Sequence, residues 1–432
     1  MMDESKSAMP GTNFSMLQDN GILYRAPSQL STTVARTYKI EYAQRQSYKG
    51  FGSPIIFDWN TGTAYVDPAS AILSFKIKII NSDPTNDCIL TWGGGLGACN
   101  LISEIRIISK NGVELDRTSE AGQLAKILSD YTLSNAGRYN AQMCDGEFAI
   151  DAVTVENSDE KEIEVSIPLR LLSGFFRPTV QDMLIPAGLA SGLRFEFTLQ
   201  NPNRAFYTSS VDIDNSSITY EIDSPEMLLQ LSDMNDPVQS ALFNQSAKTG
   251  LEYNFPSFFS SKVSNAGQTR INEQLKKAVS QANKCFAVVL PKVVADPEKD
   301  YENIHTSGFN STDANTIASF NWRLGSQYYP LQALTKPSTY WAVANACFNR
   351  LRSMEWAPNQ VDYQDFNIGG KCILSTTLDM SDRINLSGSK INNSSVLELR
   401  MELKTDGPVD IILFLQFTAE VRTSGSRSVL KI

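Results

Sequence analysis

Apolar and polar residues alternate over much of this chain, and a period of two marks strands with one buried face. TYKIEYAQRQSYKG (37–50) opens with that alternation and predicts a first strand. AILSFKIKIINSD (71–83) is stronger, because Ile72, Leu73, Phe75, Ile77, Ile79 and Ile80 supply a buried face and β-branched weight. The Asp83-Pro84 step ends it. ISEIRIIS (102–109) then runs into Asn111-Gly112. Both residues tolerate positive φ, so the dipeptide predicts a tight hairpin returning through VELDRTS. KEIEVSIPL (161–169), LRFEFTLQ (193–200) and SSITYEID (216–223) continue the alternation, with a long Pro-marked loop before the second of them.

Between the hairpin and KEIEVSIPL the period changes. EAGQLAKILSDYTL (120–133) spaces Leu124, Ile127, Leu128 and Tyr131 at i, i+3, i+4 and i+7, which predicts a short amphipathic helix capped by Thr118 or Ser119. The second half replays the order. KCFAVVLPKVV (284–294) is a strand, and TIASFNWRLGSQYYPLQAL (316–334) is a strand with a Gly-Ser turn and return. Lys336-Pro337-Ser338 opens a helix over 338–354, striped by Trp341, Ala344, Cys347, Phe348 and Leu351. KCILSTTLDM (371–380), SSVLELRMELK (394–404) and DIILFLQFTAEV (410–421) are three further strands.

The two halves therefore match in form. Strand, turn, return and helix recur, KEIEVSIPL corresponds to KCILSTTLD, LRFEFTLQ to VLELRMELK, and SSITYEID to ILFLQFTAEV. The offset of roughly 200 residues is the length of one β domain. This predicts an all-β protein of two consecutive eight-stranded jelly-roll sandwiches, each with a short inserted helix. The expected limits are a flexible N-terminal arm over 1–36, a first jelly roll over 37–230, a connection over 231–262, a second jelly roll over 263–422 and a C-terminal tail over 423–432. The join falls near 224–261, where strand alternation is lost to the eye.

Candidate chemistry changes this picture little. TWGGGLGACN (91–100) has the glycines of a phosphate loop, but a strand pattern follows it, no GK[ST] is present, and Asp116 has no crossover helix before it to serve as a ribose anchor. The run predicts a connection between two strands. The chain has one histidine, His305, and its polar loop reads as ordinary surface, which disfavours Ser-His-Asp and Cys-His mechanisms. Asp159/Glu160/Glu162 and Asp296/Glu298/Asp300 have the composition of cation or acid–base sites, but runs of this kind on acidic chains are solvated loops. Tyr328, Tyr329, Tyr340, Trp341 and Trp356 could stack a sugar, yet Trp341 belongs to the helix stripe and points to packing. No catalytic, cofactor-binding or metal-ligating residue is assigned.

Cys88, Cys99, Cys144, Cys285, Cys347 and Cys372 form no CxxC pair and read as free buried thiols of a reducing compartment. The first residues lack the pattern of a signal peptide, so Asn310 and Asn385 are not expected to carry glycans. No apolar run is long enough to span a bilayer. With 47 acidic against 38 basic residues, a net charge of −9 disfavours a surface built for nucleic-acid backbone or anionic lipid.

Four passages carry a family resemblance. They are the Gly-rich approach into LISEIRIISKNGVEL, VSIPLRLLSGFF with LIPAGLASGLRFEFTLQ, FNWRLGSQYYP before the second helix, and ILFLQFTAEV near the end. Over residues 37–421 the chain resembles the double jelly-roll major capsid proteins of icosahedral DNA viruses. The polinton-like virus and virophage type is nearest, with tectivirus and adenovirus hexon more distant. It departs from many of them in having modest loops where they carry towers. The resemblance implies a virion protein, assembled inside the host cell as a homotrimer whose pseudo-hexagonal outline tiles a shell. Its implied partners are neighbouring capsomers, penton and minor capsid proteins. The arm and the tail become candidate clamps. Residues 1–50 hold six Lys/Arg and four Asp/Glu, so DNA would be enclosed without strong direct binding, behind other proteins or an internal membrane. A tandem sandwich lectin or tail protein, or an enzyme on a sandwich, are the competing classes.

Overall fold

The computed structural model describes residues 33–92, 97–132, 153–178, 183–208, 217–234, 250–291, 317–349, 361, 363–367, 371–378, 388–392, 395–404, 406–424 and 427–431. Strands are numbered along the chain. In the first half, β1 (Thr33–Tyr42), β12 (Ile218–Met234), β4 (Tyr65–Asn81) and β9 (Glu160–Pro168) lie side by side in that order, with β2 (Ser47–Lys49) added to β12. The second sheet is β3 (Ile55–Asp58), β10 (Arg194–Leu199), β6 (Ile102–Ile108) and β7 (Glu114–Ser119). A small third sheet joins β11 (Phe206–Thr208), β5 (Cys88–Trp92) and β8 (Val153–Val155).

The second half repeats the plan. One sheet runs β13 (Leu251–Asn265), β21 (Val409–Ser424), β15 (Val279–Pro291), β18 (Leu374–Thr377), with β19 (Ser389–Ile391) on β15 and β22 (Arg427–Lys431) on β21. The other runs β14 (Arg270–Leu275), β20 (Leu397–Leu403), β16 (Ile317–Leu324), β17 (Gln327–Leu334). Counting only the eight main strands of each half, both halves read 1-8-3-6 over 2-7-4-5. That order is the jelly roll, and it recurs twice. Between the fifth and sixth main strands the halves carry corresponding helices, α1 (Ala121–Thr132) and α2 (Pro337–Asn349), and in the second half a short helix Tyr363–Asn367 follows α2.

Alternation builds each core. On β4, Phe75, Ile77 and Ile79 face inward opposite Val165, Ile163, Ile222 and Tyr220 of the flanking strands. The intervening Lys76 and Lys78 face outward, opposite Glu164 and Glu162 of β9. Helix α1 buries Leu124, Ile127, Leu128 and Tyr131, the predicted stripe.

The structure departs from the pattern in instructive places. β12 does not stop at residue 223 but continues to Met234, through a register shift at Ser224 (φ 48°) and Pro225. A bulge hides such a strand from a period-two search, and it is also where proline is tolerated. β4 likewise starts at Tyr65, with Pro68 inside a second shift. β13 takes the last twelve residues of the stretch expected as connection, 251–262, and β12 its first four. Pro256 of β13 sits on an edge strand, and Phe258 is buried on the face opposite Tyr253, Phe255 and Ser257, which interrupts the alternation. The predicted arm loses residues 33–36 to β1, which pairs Arg36 with Ser232, while residues 1–32 lie outside the described residues. The predicted tail folds back as β22 on β21. β3 has only four residues, and β14 (RINEQL) has only Ile271 and Leu275 as apolar positions, so neither gives a periodic signal.

Two local expectations change. At the Asn111-Gly112 hairpin only Gly112 has positive φ, at 76°, and a register shift beside Ile108 absorbs the extra residue. Neither proposed cap serves α1. The Ser119 hydroxyl donates to Glu104 Oε2 at 2.9 Å, and the buried Thr118 hydroxyl has no partner among the described residues.

Gly122 of α1 lies on the Gly97–Leu101 turn, and a Cβ there would stand 2.9 Å from both Asn100 Cα and Cys99 O. Helix propensity favours Ala over Gly by about 1 kcal/mol, but overpacking against backbone costs about 1–3 kcal/mol. Gly122→Ala is expected to lower stability by up to about 2 kcal/mol in urea melts, and a more stable variant would show that the helix has room to move.

Candidate functional site

The residues marked out by sequence do not converge. The glycine-rich run joins β5 to β6, and its described end, Gly97–Leu101, is a buried 3-10 turn leading into a strand. Glu160 pairs with Lys78 at 2.6 Å and Glu164 with Lys76 at 3.1 Å, so the first acidic run is part of a cross-strand charge ladder on the open face of β9. Tyr340 is buried, its ring stacked on Phe320 at 4.7 Å. Trp341 Nε1 donates to Val361 O at 2.9 Å, and the Tyr329 hydroxyl donates to Gln327 Oε1 at 2.7 Å. Tyr328 lies against the guanidinium groups of Arg400 and Arg323 at 5.5 and 5.9 Å. Cys88, Cys99, Cys285, Cys347 and Cys372 are buried, and burial pushes the thiols of Cys285, Cys347 and Cys372 up, away from reactive thiolate. His305, Asp296/Glu298/Asp300, Trp356, Cys144, Asn310 and Asn385 lie outside the described residues. Among the described residues no group of His, Cys, Asp or Glu could hold a metal, and no helix is long and apolar enough to cross a membrane.

The most heavily organised polar site is instead the junction between the two halves, where β7 meets β13. Asp116 of β7 is 4% exposed. The Ser173 hydroxyl donates to its Oδ2 at 2.5 Å and the Ser257 hydroxyl, from the second half, donates to its Oδ1 at 2.6 Å. Ser173 also accepts from Phe175 N, which fixes the turn Gly174–Phe176. Burial pushes the Asp116 carboxyl up to about 6, against the opposing pull of the two hydroxyls and the Arg117 backbone N–H.

Apolar packing surrounds that carboxyl. Phe175 meets Tyr253 and Phe255 at 5.2 and 5.1 Å, and the Tyr253 hydroxyl donates to Phe175 O at 2.6 Å. A Cβ on Gly174 would lie 1.5 Å from Pro256 O, so only glycine permits this approach. A second contact joins the helices. Tyr131 donates to Lys371 O at 2.6 Å and packs on Phe348 at 5.2 Å, and Phe348 packs on Phe286, which stacks on Phe414. A 340 Å³ cleft remains beside Asp116, bounded by Arg117, Phe259, Lys277 and Leu430. Sequence reasoning missed this junction. In VELDRTS, Asp116 looks like any solvent-facing carboxylate, and no spacing links it to Ser173 or Ser257.

Two jelly rolls of one topology, locked edge to edge, are a specific architecture. No family profile matches the sequence and no curated protein resembles it in sequence. Solved structures do match. The Faustovirus major capsid protein superposes with a TM-score of 0.65 at 8% identity, covering 93% of this chain and 92% of that one. The PBCV-1 virus capsid gives 0.59 at 12%, covering 95% and 99%. The mavirus major capsid protein gives 0.54 at 12%, covering 100% and 96%. This chain has a double jelly-roll fold. At such identities the likeness speaks for architecture, and the double jelly roll accounts for nearly the whole chain.

The raised Asp116 value has a definite consequence for the double jelly roll. The folded state keeps a proton that the unfolded chain gives up near 3.8. Stability is therefore full below that pH and falls as pH rises towards about 6, by on the order of 3 kcal/mol. Asp116→Asn cannot ionise and still accepts a hydroxyl. The variant is expected to gain on the wild type between about pH 4 and pH 6 when urea midpoints are compared. A wild-type-to-variant difference that does not move with pH would refute the buried proton.

Proposed function

We propose that this chain is the major capsid protein of an icosahedral DNA virus. Three copies form a pseudo-hexagonal block that tiles the shell. The observation that carries this reading is the side-by-side pair of equivalent jelly rolls fixed into one unit at the Asp116 junction. Three such units supply six similar building elements, and a near-hexagonal block can fill a shell using one repeated heterologous contact. The double jelly-roll fold shared with viral capsid proteins supports the same reading. Neighbouring capsomers, penton and minor capsid proteins are then its partners, and the virion its location.

The residues argue against the competing classes. A sugar platform needs adjacent open aromatic faces, but Tyr340 is buried and Tyr328 is flanked by two arginines. We assign no catalytic role. The net charge of −9 supports a wall that encloses a genome without gripping it, with other proteins or an internal membrane in between.

Light scattering on the purified chain tests the reading. The expected species has three times the 47.8 kDa chain mass, with hexagonal outlines in electron micrographs. A protein that stays monomeric at every concentration tried would overturn it.

A further inference from the structure

The cleft beside Asp116 has walls from both halves. β7 of the first half gives Glu114, Arg117 and Ser119, and β13 of the second gives Phe259 and Ser260. Leu430 of β22 and Lys277, in the segment between β14 and β15, add to the second half's share. The volume of 340 Å³ falls within the range of about 300–1,000 Å³ of small-molecule sites. All of these residues belong to one chain, so the cleft does not depend on assembly.

The charged and hydroxyl groups of the lining are engaged with one another or with close neighbours. Glu114 pairs with Arg106 at 3.0 Å, and Arg117 with Glu104 at 3.0 Å. The Ser119 hydroxyl donates to Glu104, the Ser257 hydroxyl to Asp116, and the Ser260 hydroxyl to Ser119 O at 2.9 Å. Lys277 is the exception. Its ammonium lies over the Phe259 ring, 5.7 Å from the centroid, and no carboxylate among the described residues pairs with it. The neighbouring charge that acts on Asp116 is that of Glu114, so Lys277 is not spent there either. One uncompensated cation is left in the lining, with apolar surface beside it, since Phe259 and Leu430 are only partly buried. Such a pairing suits a ligand with an anionic head and an apolar body.

We propose that the cleft binds an amphiphilic monocarboxylate, its carboxylate on the Lys277 ammonium and its alkyl chain along Phe259 and Leu430. The walls come from both halves, so the site exists only while the joint is formed. An occupant therefore stabilises the joined state by mass action. A net charge of −9 repels anions from the molecule as a whole, so a carboxylate that binds reports this local cation and not a general attraction.

Octanoate is the probe, with octylammonium and octanol as controls of matched length. Octanoate is expected to raise the thermal midpoint of the wild type as its concentration rises, and both controls to raise it less. In titration calorimetry Lys277→Met, which keeps the apolar stem and removes the charge, is expected to bind octanoate about tenfold more weakly. Leu430→Trp, which fills the cleft, is expected to abolish binding. Should that variant misfold by circular dichroism, Lys277→Glu serves in its place and is expected to reject octanoate and accept octylammonium. Tyr38→Ser/Tyr42→Ser removes exposed aromatic surface on β1, away from the lining, and is expected to bind octanoate as the wild type does. Octanoate affinity that is unchanged in the Lys277 variants, or lost in the β1 variant, would overturn the assignment. Equal binding of octanol and octanoate would overturn it too, because an apolar body alone would then suffice, as would a wild type that binds no octanoate. The capsid reading survives each of these failures.

Discussion

An edge strand cannot stand alone on a large apolar domain, because its outer side must be covered, charged or kept short. In this chain β7 meets that constraint by lying against β13 of the other half, and the rest of the architecture follows from that one contact. It turns two sandwiches into a single unit with a fixed direction. It also decides which faces stay open. The first half shows its β1 face outward, and the second half shows β17.

Covering the edge has an electrostatic cost. A carboxylate is buried where an apolar residue would pack more cheaply, and two serine hydroxyls only partly offset its desolvation. What the arrangement gives in return is geometry. The two oxygens of Asp116 accept from hydroxyls on different halves, so a shifted junction would strand a buried polar group. The aromatic cluster around Phe175 contributes area, but area alone does not choose a register.

Much of the fold could be read in the sequence because most of its strands obey simple alternation. The correspondence of KEIEVSIPL with KCILSTTLD, and of SSITYEID with ILFLQFTAEV, reappears as the sixth and eighth strands of two identical topologies. What stayed hidden has physical causes. Pro225 and Pro68 sit in bulges that break the period without ending the strand. β13 carries Pro256 and the doublets Phe258-Phe259 and Ser260-Ser261, which interrupt the alternation without ending the strand. The junction was invisible because Asp116, Ser173 and Ser257 are ordinary residues made special only by distance in the folded chain. The open stripe of Tyr38, Ile40 and Tyr42 was legible as a strand, but not as an outward-facing one.

The contact of Gly174 with Pro256 leaves no slack between the two sandwiches, since even one methyl group would collide there. A block built on such a hinge-free joint cannot flex across its own middle. In the shell proposed above, curvature would therefore be taken up at the seams between blocks, where side chains can repack, and not inside the tile.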